Sequence, residues 1–252
     1  LAGLAMGALP DTAPTGAFVA LLALGAGGWA LAAWIFAGIR EFDGATEGGV
    51  SGAALALQQL TLLRDDAPFR LFVLSRALAM GSSLAAPFYV ALARDALGQA
   101  VALLGLFIAI EGLAGLISSP IWGRMADRSS RQVFAWAGAG AGGLSIAVAA
   151  WSWWGPGGTA AAWLFPLAFL GLGICHAGVR LGRKTYLLDL AEGDRRTAYV
   201  AVSNTVIGVL LLASGAVGAL ASSYSVAATV LVLGCAGLLG AAMSLRWPEV
   251  SG

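Results

Sequence analysis

Charge is what this sequence lacks. Only 11% of its 252 residues are Asp, Glu, Lys or Arg, whereas soluble domains carry roughly a quarter. So few charges cannot cover the surface of a soluble fold of this size, which excludes a cytosolic enzyme and a disordered segment. The net charge of +1 gives no basic field, so no nucleic-acid partner is expected. Cysteine is equally scarce. Cys175 and Cys235 lie in apolar stretches without CxxC spacing, so neither a metal site nor a disulfide framework is expected, and no cofactor is implied. There is one histidine, His176, and one lysine, Lys184. Arginine is the dominant base and Ala and Gly are abundant, a composition that fits a GC-rich bacterial genome. The first residue is Leu1, inside an apolar run without the basic start of a signal peptide, so the chain reads as part of a longer one.

Apolar runs fill the space that charge leaves. Hydrophobic residues make up 59% of the chain, and the mean hydropathy is +0.85. A membrane span needs about 20 mostly apolar residues. Thr12 to Ile39 supplies a first span. Leu71 to Ala93 supplies a second, containing Arg76, and Ala96 to Gly123 a third, containing Glu111. Gln132 to Val179 is too long for one helix. It is cut at Trp153-Trp154-Gly155-Pro156-Gly157-Gly158, a turn signal with interfacial aromatics, into a fourth and a fifth span. Thr197 to Leu245 is cut at Ser222-Ser223-Tyr224-Ser225 into a sixth and a seventh. Residues 1–10 read as the tail of an earlier helix.

The basic residues alternate with these spans. The loops after the first, third and fifth spans, with the C-terminus, hold twelve of them, and the opposite side holds Arg94 alone. By the positive-inside rule those loops and the C-terminus are cytoplasmic. The longest loop, from Arg40 to Arg70, begins with Glu41, Asp43, Gly44, Glu47, Gly48 and Gly49. It continues into an amphipathic stretch around Leu55, Leu60, Leu62 and Leu63, which predicts a hinge and a short interfacial helix. Lys184 to Arg196, where Leu187, Leu188 and Leu190 alternate with acids, predicts a cytoplasmic surface helix.

Between the third and fourth spans stands Gly123-Arg124-Met125-Ala126-Asp127-Arg128-Ser129-Ser130-Arg131. It resembles the signature loop of the major facilitator superfamily, G-x-L-a-D-r-x-G-r-r/k. Gly123, Asp127, Arg128 and Arg131 match, while Met125, Ser130 and Gln132 depart from the pattern. Arg180-Leu181-Gly182-Arg183-Lys184-Thr185-Tyr186 and Val202-Ser203-Asn204-Thr205 are similar to segments of uncharacterised bacterial permeases of that superfamily. The resemblance implies an all-α membrane protein with seven transmembrane helices, the C-terminal six-helix bundle plus one helix of the N-terminal half. Residues 1–39 would end the N-terminal bundle, 40–69 form the cytoplasmic central loop, and 70–252 the C-terminal bundle. It further implies a secondary transporter of the bacterial inner membrane, moving a small solute by alternating access, with the lipid bilayer, the N-terminal bundle and protons as partners. By the same resemblance Asp127 meets the positive N-terminal end of a helix in the other half.

In the family, the first, second, fourth and fifth helices of this half border the cavity. Here those helices carry Arg76, Glu111, His176 and Asn204, the candidate substrate and proton pathway, while the other two carry no ionisable group except Cys235. Each has a plainer reading too. Arg76 snorkels to the cytoplasmic surface, His176 packs against a carbonyl, and Asn204 bonds neighbouring helices. Glu111 is too deep to snorkel, so it reads as functional.

Other readings fit worse. Gly138-Ala139-Gly140-Ala141-Gly142-Gly143 spells GxGxxG inside a span, where close helix packing explains it. Leu212-Ala213-Ser214-Gly215-Ala216-Val217-Gly218 resembles the serine motif of rhomboid intramembrane proteases, but no histidine follows Ser214. The last span lacks the Schiff-base lysine of retinal proteins. A non-transporting membrane scaffold remains the third class.

Overall fold

The computed structural model describes residues 15–38, 59–98, 101–191 and 195–250. These form eleven α-helices and no strand among the described residues: α1 (Thr15–Ala37), α2 (Leu62–Asp65), α3 (Ala67–Ala79), α4 (Gly81–Leu84), α5 (Ala86–Leu97), α6 (Val101–Ala126), α7 (Ser130–Trp154), α8 (Thr159–Leu190), α9 (Arg195–Ala213), α10 (Gly215–Ser223) and α11 (Val226–Ser244). Six stretches are long and apolar enough to cross a membrane: Ala67–Leu97, Gly105–Ala126, Ser130–Trp154, Thr159–Leu190, Arg195–Ser223 and Val226–Ser244. An all-α membrane protein follows, because hydrocarbon offers backbone amides no partner except one another. The 23-residue α1 precedes these six and exposes Trp29, Trp34 and Phe36.

Local chemistry sets the helix ends. The Asp66 carboxylate caps α3 by accepting from Phe69 N at 2.9 Å. Ser129 and Ser225 cap α7 and α11 in the same way, accepting from Gln132 N and Ala228 N. Gly98 ends α5 and Gly158 precedes α8, both at positive φ. The turns expected at 155–158 and 222–225 are therefore where the chain reverses.

Three expectations change. The second span is not one helix. It breaks after Ala79 and again at Ala85, just before Pro87, whose ring nitrogen cannot donate to the preceding turn. The sixth span likewise breaks at Ser214, between α9 and α10. No separate surface helix starts at Lys184, because α8 runs unbroken to Leu190. Between Arg183 and Leu190 there is no Gly or Pro, and Val179, Gly182, Tyr186 and Leu187 keep its buried stripe on one face. Residues 192–194, with Glu192 and Asp194, lie outside the described residues. So do residues 1–14, and residues 39–58 with the expected hinge and Leu55. From the expected interfacial helix, Leu60, Leu62 and Leu63 pack half-buried against the core at the short α2.

α7 and α11 form the centre. A Cβ on Gly142 would stand 2.7 Å from the Gly234 carbonyl oxygen and 2.8 Å from Leu238 N, so only glycine lets these backbones touch. The glycine run at 138–143 is thus a packing surface. One core cluster gathers Tyr89, Phe107, Phe165, Phe169, Leu172 and Val230. The other gathers Phe69, Phe72, Phe134, Tyr186, Tyr199 and Trp247.

Gly142→Ala should lower stability by about 1–3 kcal/mol, the cost of forcing an atom into a filled contact. Gly143→Ala, which meets nothing within 4 Å, should leave the thermal midpoint of the detergent-solubilised protein unmoved. Equal midpoints for the two variants would contradict the contact.

Candidate functional site

The break between α3 and α5 exposes polar groups inside the bundle. Gly81 allows it: a Cβ there would lie 2.5 Å from the Leu233 carbonyl oxygen. The short α4 then carries Ser82 and Ser83 towards α8. The Ser82 hydroxyl donates to the Ala79 carbonyl at 2.9 Å and lies 3.2 Å from His176 Nδ1. With its one proton given to Ala79, the hydroxyl accepts from Nδ1–H, and Nε2 has no hydrogen bond among the described residues. Ser82, Ser83 and His176 line a cavity of about 340 Å³ together with Glu111, Phe107 and Phe169. The Glu111 carboxylate lies over Gly173, where a Cβ would approach Oε2 to 3.0 Å. Glu111 and His176 therefore share a cavity, without a hydrogen bond between them among the described residues.

Arg76 does not snorkel. It is nine-tenths buried, at 9% exposure, and turns towards α9. Its NH1 donates to Ser203 Oγ at 2.5 Å and its NH2 to Asn204 Oδ1 at 2.9 Å. Asn204 thus does join helices, through a guanidinium. Two further cavities follow. One of about 250 Å³ is lined by Arg76, Ser82, Ser83, His176, Arg180 and Arg183. The other, of about 260 Å³, is lined by Arg76, Arg183, Lys184 and Asn204. Shared walls make the three cavities neighbours, with His176, Ser82 and Ser83 between Glu111 and Arg76. Glu111 and Arg76 line no cavity in common.

The signature-loop residues divide into two groups. Gly123 lines a fourth cavity of about 350 Å³ with Ser118 and Trp122, which shares Arg180 and Lys184 with the two arginine-lined cavities. Asp127 and Arg128 are exposed, and the Asp127 carboxylate has no hydrogen bond or ion pair among the described residues. Arg131 turns the other way. Its NH2 pairs with Glu249 at 3.0 Å and its NH1 donates to the Trp247 carbonyl at 3.0 Å. Ser129 adds a hydrogen bond to the same Glu249 carboxylate.

Sequence reasoning missed this C-terminal clasp. Trp247, 1% exposed, sits among Phe72, Phe134 and Tyr186 and donates from Nε1 to Ser75 Oγ at 3.1 Å. Tyr186 donates to the Pro248 carbonyl. Tyr199 donates to the Asp66 carboxylate, tying α9 to the cap of α3. The available signal was an aromatic placed just after the last span, between Arg246 and Glu249. Ser82, Ser83, Ser203 and Arg183 were also missed as site residues. Their flags were the Gly-Ser-Ser interruption, a serine beside Asn204, and an arginine two turns beyond His176. Ser214 gives no support to a protease: its hydroxyl donates to the Leu211 carbonyl at 2.6 Å, and His176 is bound to Ser82.

The sequence profile of the Major Facilitator Superfamily matches residues 71–251. No curated protein and no solved structure matches the chain.

Trp247→Ala should cost about 3–5 kcal/mol, as for a fully buried aromatic. The matched change Trp154→Ala, at 80% exposure, should cost far less. Arg131→Gln removes a partly exposed ion pair and the hydrogen bond to the Trp247 carbonyl, and should cost about 1–2 kcal/mol. Thermal unfolding of the three variants checks the order. A tail that merely rests on the surface would make the two tryptophan changes alike.

Proposed function

Because the chain belongs to the major facilitator superfamily, a family of transporters, we propose that it moves a small solute across the cytoplasmic membrane by alternating access. In this reading residues 70–252 are the C-terminal bundle, 40–69 the central loop, and 1–39 the end of the N-terminal bundle, with α1 a seventh span. The C-terminus is cytoplasmic and the membrane is the inner membrane of a bacterium. The substrate site lies between this bundle and its N-terminal counterpart, and the two rock about it.

The observation that carries the proposal is the Glu111 cavity. Glu111 is ten residues after the start of α6 at Val101, roughly 15 Å along the helix at about 1.5 Å per residue, and fifteen before its end at Ala126. A charge at that depth costs several kcal/mol against lipid but much less in a polar cavity. His176, Ser82 and Ser83 supply that polarity from α8 and α4. A carboxylate there takes and releases a proton as the cavity opens to each side, which couples transport to the proton gradient. Exposure supports an absent partner bundle. The spans 105–126 and 195–223 are only 28% and 6% buried, against 56% for 130–154. These two are helices that the family fold turns towards the other half. Asp127, exposed at the cytoplasmic end of α6, would meet a helix N-terminus there and stabilise one of the two conformations.

The orientation is checked by single cysteines at Arg124 and Ser223 in a background without Cys175 and Cys235. An impermeant thiol reagent applied to intact cells should label the cysteine at 223 and spare that at 124. Labelling of both from outside overturns it.

Coupling is checked with the full-length protein in liposomes, using a panel of labelled anionic, cationic and neutral solutes. Glu111→Gln should abolish proton-driven accumulation of the transported solute while solute exchange persists. Asp127→Asn should slow both, with membrane abundance unchanged. A glutamic acid that stays protonated and only bonds a neighbouring helix would leave accumulation the same over a range of external pH, and that result would sink the coupling role.

A further inference from the structure

The two cavities beyond His176 hold an excess of positive charge. Arg76 and Arg183 line both of them, Arg180 borders one and Lys184 the other. Among the described residues no carboxylate lines either, and neither Asp66 nor Asp189 forms an ion pair with these bases. Glu111 faces the adjoining cavity, on the far side of His176 and Ser82. Among the described residues Arg131–Glu249 is the one ion pair.

Arg76 makes the imbalance acute. Its NH1 and NH2 are held by Ser203 and Asn204, two neutral oxygens that orient the guanidinium without supplying a counter-charge. Its Nε is buried with no hydrogen-bond partner. Buried guanidinium groups are ordinarily paired with an anion, because taking an unpaired charge out of water is costly. Two arginines facing one small space also repel each other. The positive-inside rule accounts for exposed Arg180 and Lys184 near the cytoplasmic end of α8. It does not account for an arginine nine-tenths buried against α9, facing a second arginine across a cavity.

We propose that this space is an oxyanion site, in which Arg76 and Arg183 bind the carboxylate or phosphate of a small soluble solute, with Arg180 and Lys184 at its rim. The inference rests on the transporter reading and names its substrate class. Guanidinium matches both groups through paired N–H donors, and a low-dielectric cleft lined by one sign of charge concentrates the opposite sign. Ser203 and Asn204 are positioning residues that hold the Arg76 fork. The Glu111 cavity next door gives the anion a proton as its companion, so that the pair crosses with less net charge.

The test uses the full-length protein in nanodiscs of phosphatidylcholine. Its thermal midpoint is titrated with sodium phosphate and with sodium benzoate, each against sodium chloride at equal ionic strength. At least one oxyanion should raise the midpoint saturably while chloride does not. Arg183→Gln should raise the half-saturating concentration about tenfold, the worth of one charge-assisted hydrogen bond. Arg76→Lys keeps the charge but loses the fork, so it should weaken binding several-fold. Should Arg183→Gln not fold, Arg76→Lys decides alone. Arg94→Gln, the same charge change at an exposed position at the other end of the bundle, should leave half-saturation unchanged. No saturable rise with either oxyanion, or a rise that both cavity variants leave intact, overturns the proposal. So does stabilisation that appears only when phosphatidylglycerol is added to the discs, which would assign the arginines to a lipid headgroup. Binding is read without transport, so the two readings fail separately. Oxyanion binding in a protein that moves no solute refutes the transporter, while transport without oxyanion binding refutes only this site.

Discussion

The bundle depends on two backbones brought into contact. Lipid is as apolar as leucine, so in a membrane the hydrophobic effect does not pull helices together. Association rests on close packing and on hydrogen bonds between helices. Gly142 and Gly234 provide that packing, each meeting the other's carbonyl oxygen with no side chain between. Around this α7–α11 pair stand the helices that carry the polar groups. On one side Gly182 of α8 fits against the backbone of Phe134, and on the other Gly240 of α11 fits against Ser75. Neither central helix contributes an ionisable group to the cavities. A rigid apolar spine is what allows α3, α4 and α8 to hold Arg76, Ser82 and His176 in fixed relation.

Polar groups in such a bundle have few places to go. Tyr89 donates to Ser145, and the Trp122 indole donates to the Ile174 carbonyl at 2.7 Å. These bonds join neighbouring helices, and each involves uncharged partners alone. The Ser82–His176 and Arg76–Asn204 contacts differ, because each involves an ionisable side chain: the imidazole ring in one, the guanidinium charge in the other. In the proposed reading, bonds that orient an ionisable side chain without neutralising it leave its charge for a mobile partner.

The sequence made the membrane class and the six spans from residue 67 onward legible because hydrocarbon imposes such simple rules. Span length, turn residues at 155–158 and 222–225, and the bias of arginine to alternate loops each follow from one physical constraint apiece. It also showed which residues were out of place in a span, and Arg76, Glu111, His176 and Asn204 all proved to line cavities. It did not show how they were partnered, since Arg76 meets Asn204 across 128 positions of chain. The helix breaks were half legible: Gly81-Ser82-Ser83 and Pro87 are ordinary breaker signals, masked by the apolar residues around them. The C-terminal clasp was illegible for a different reason. Trp247, Arg131 and Glu249 look like interfacial residues taken singly, and only the folded chain brings Trp247 into an aromatic cluster.

One feature of the charge layout is best explained by function. Glu111 and Arg76 are opposite charges in the same apolar bundle, and pairing them would relieve the cost of burying both. They are kept apart instead, in cavities joined by His176, Ser82 and Ser83. A direct pair would be a permanent lock, in which neither the carboxylate could accept a proton nor the guanidinium an anion. Separation across a neutral, hydrogen-bonding wall leaves each charge in need of a mobile partner. In the proposed reading a proton neutralises Glu111 while an anion pairs with Arg76 and Arg183, so the opposite charges are compensated locally rather than by each other. Local compensation lowers the cost of closing a polar cavity against hydrocarbon, and in that reading the layout ties closure to occupancy.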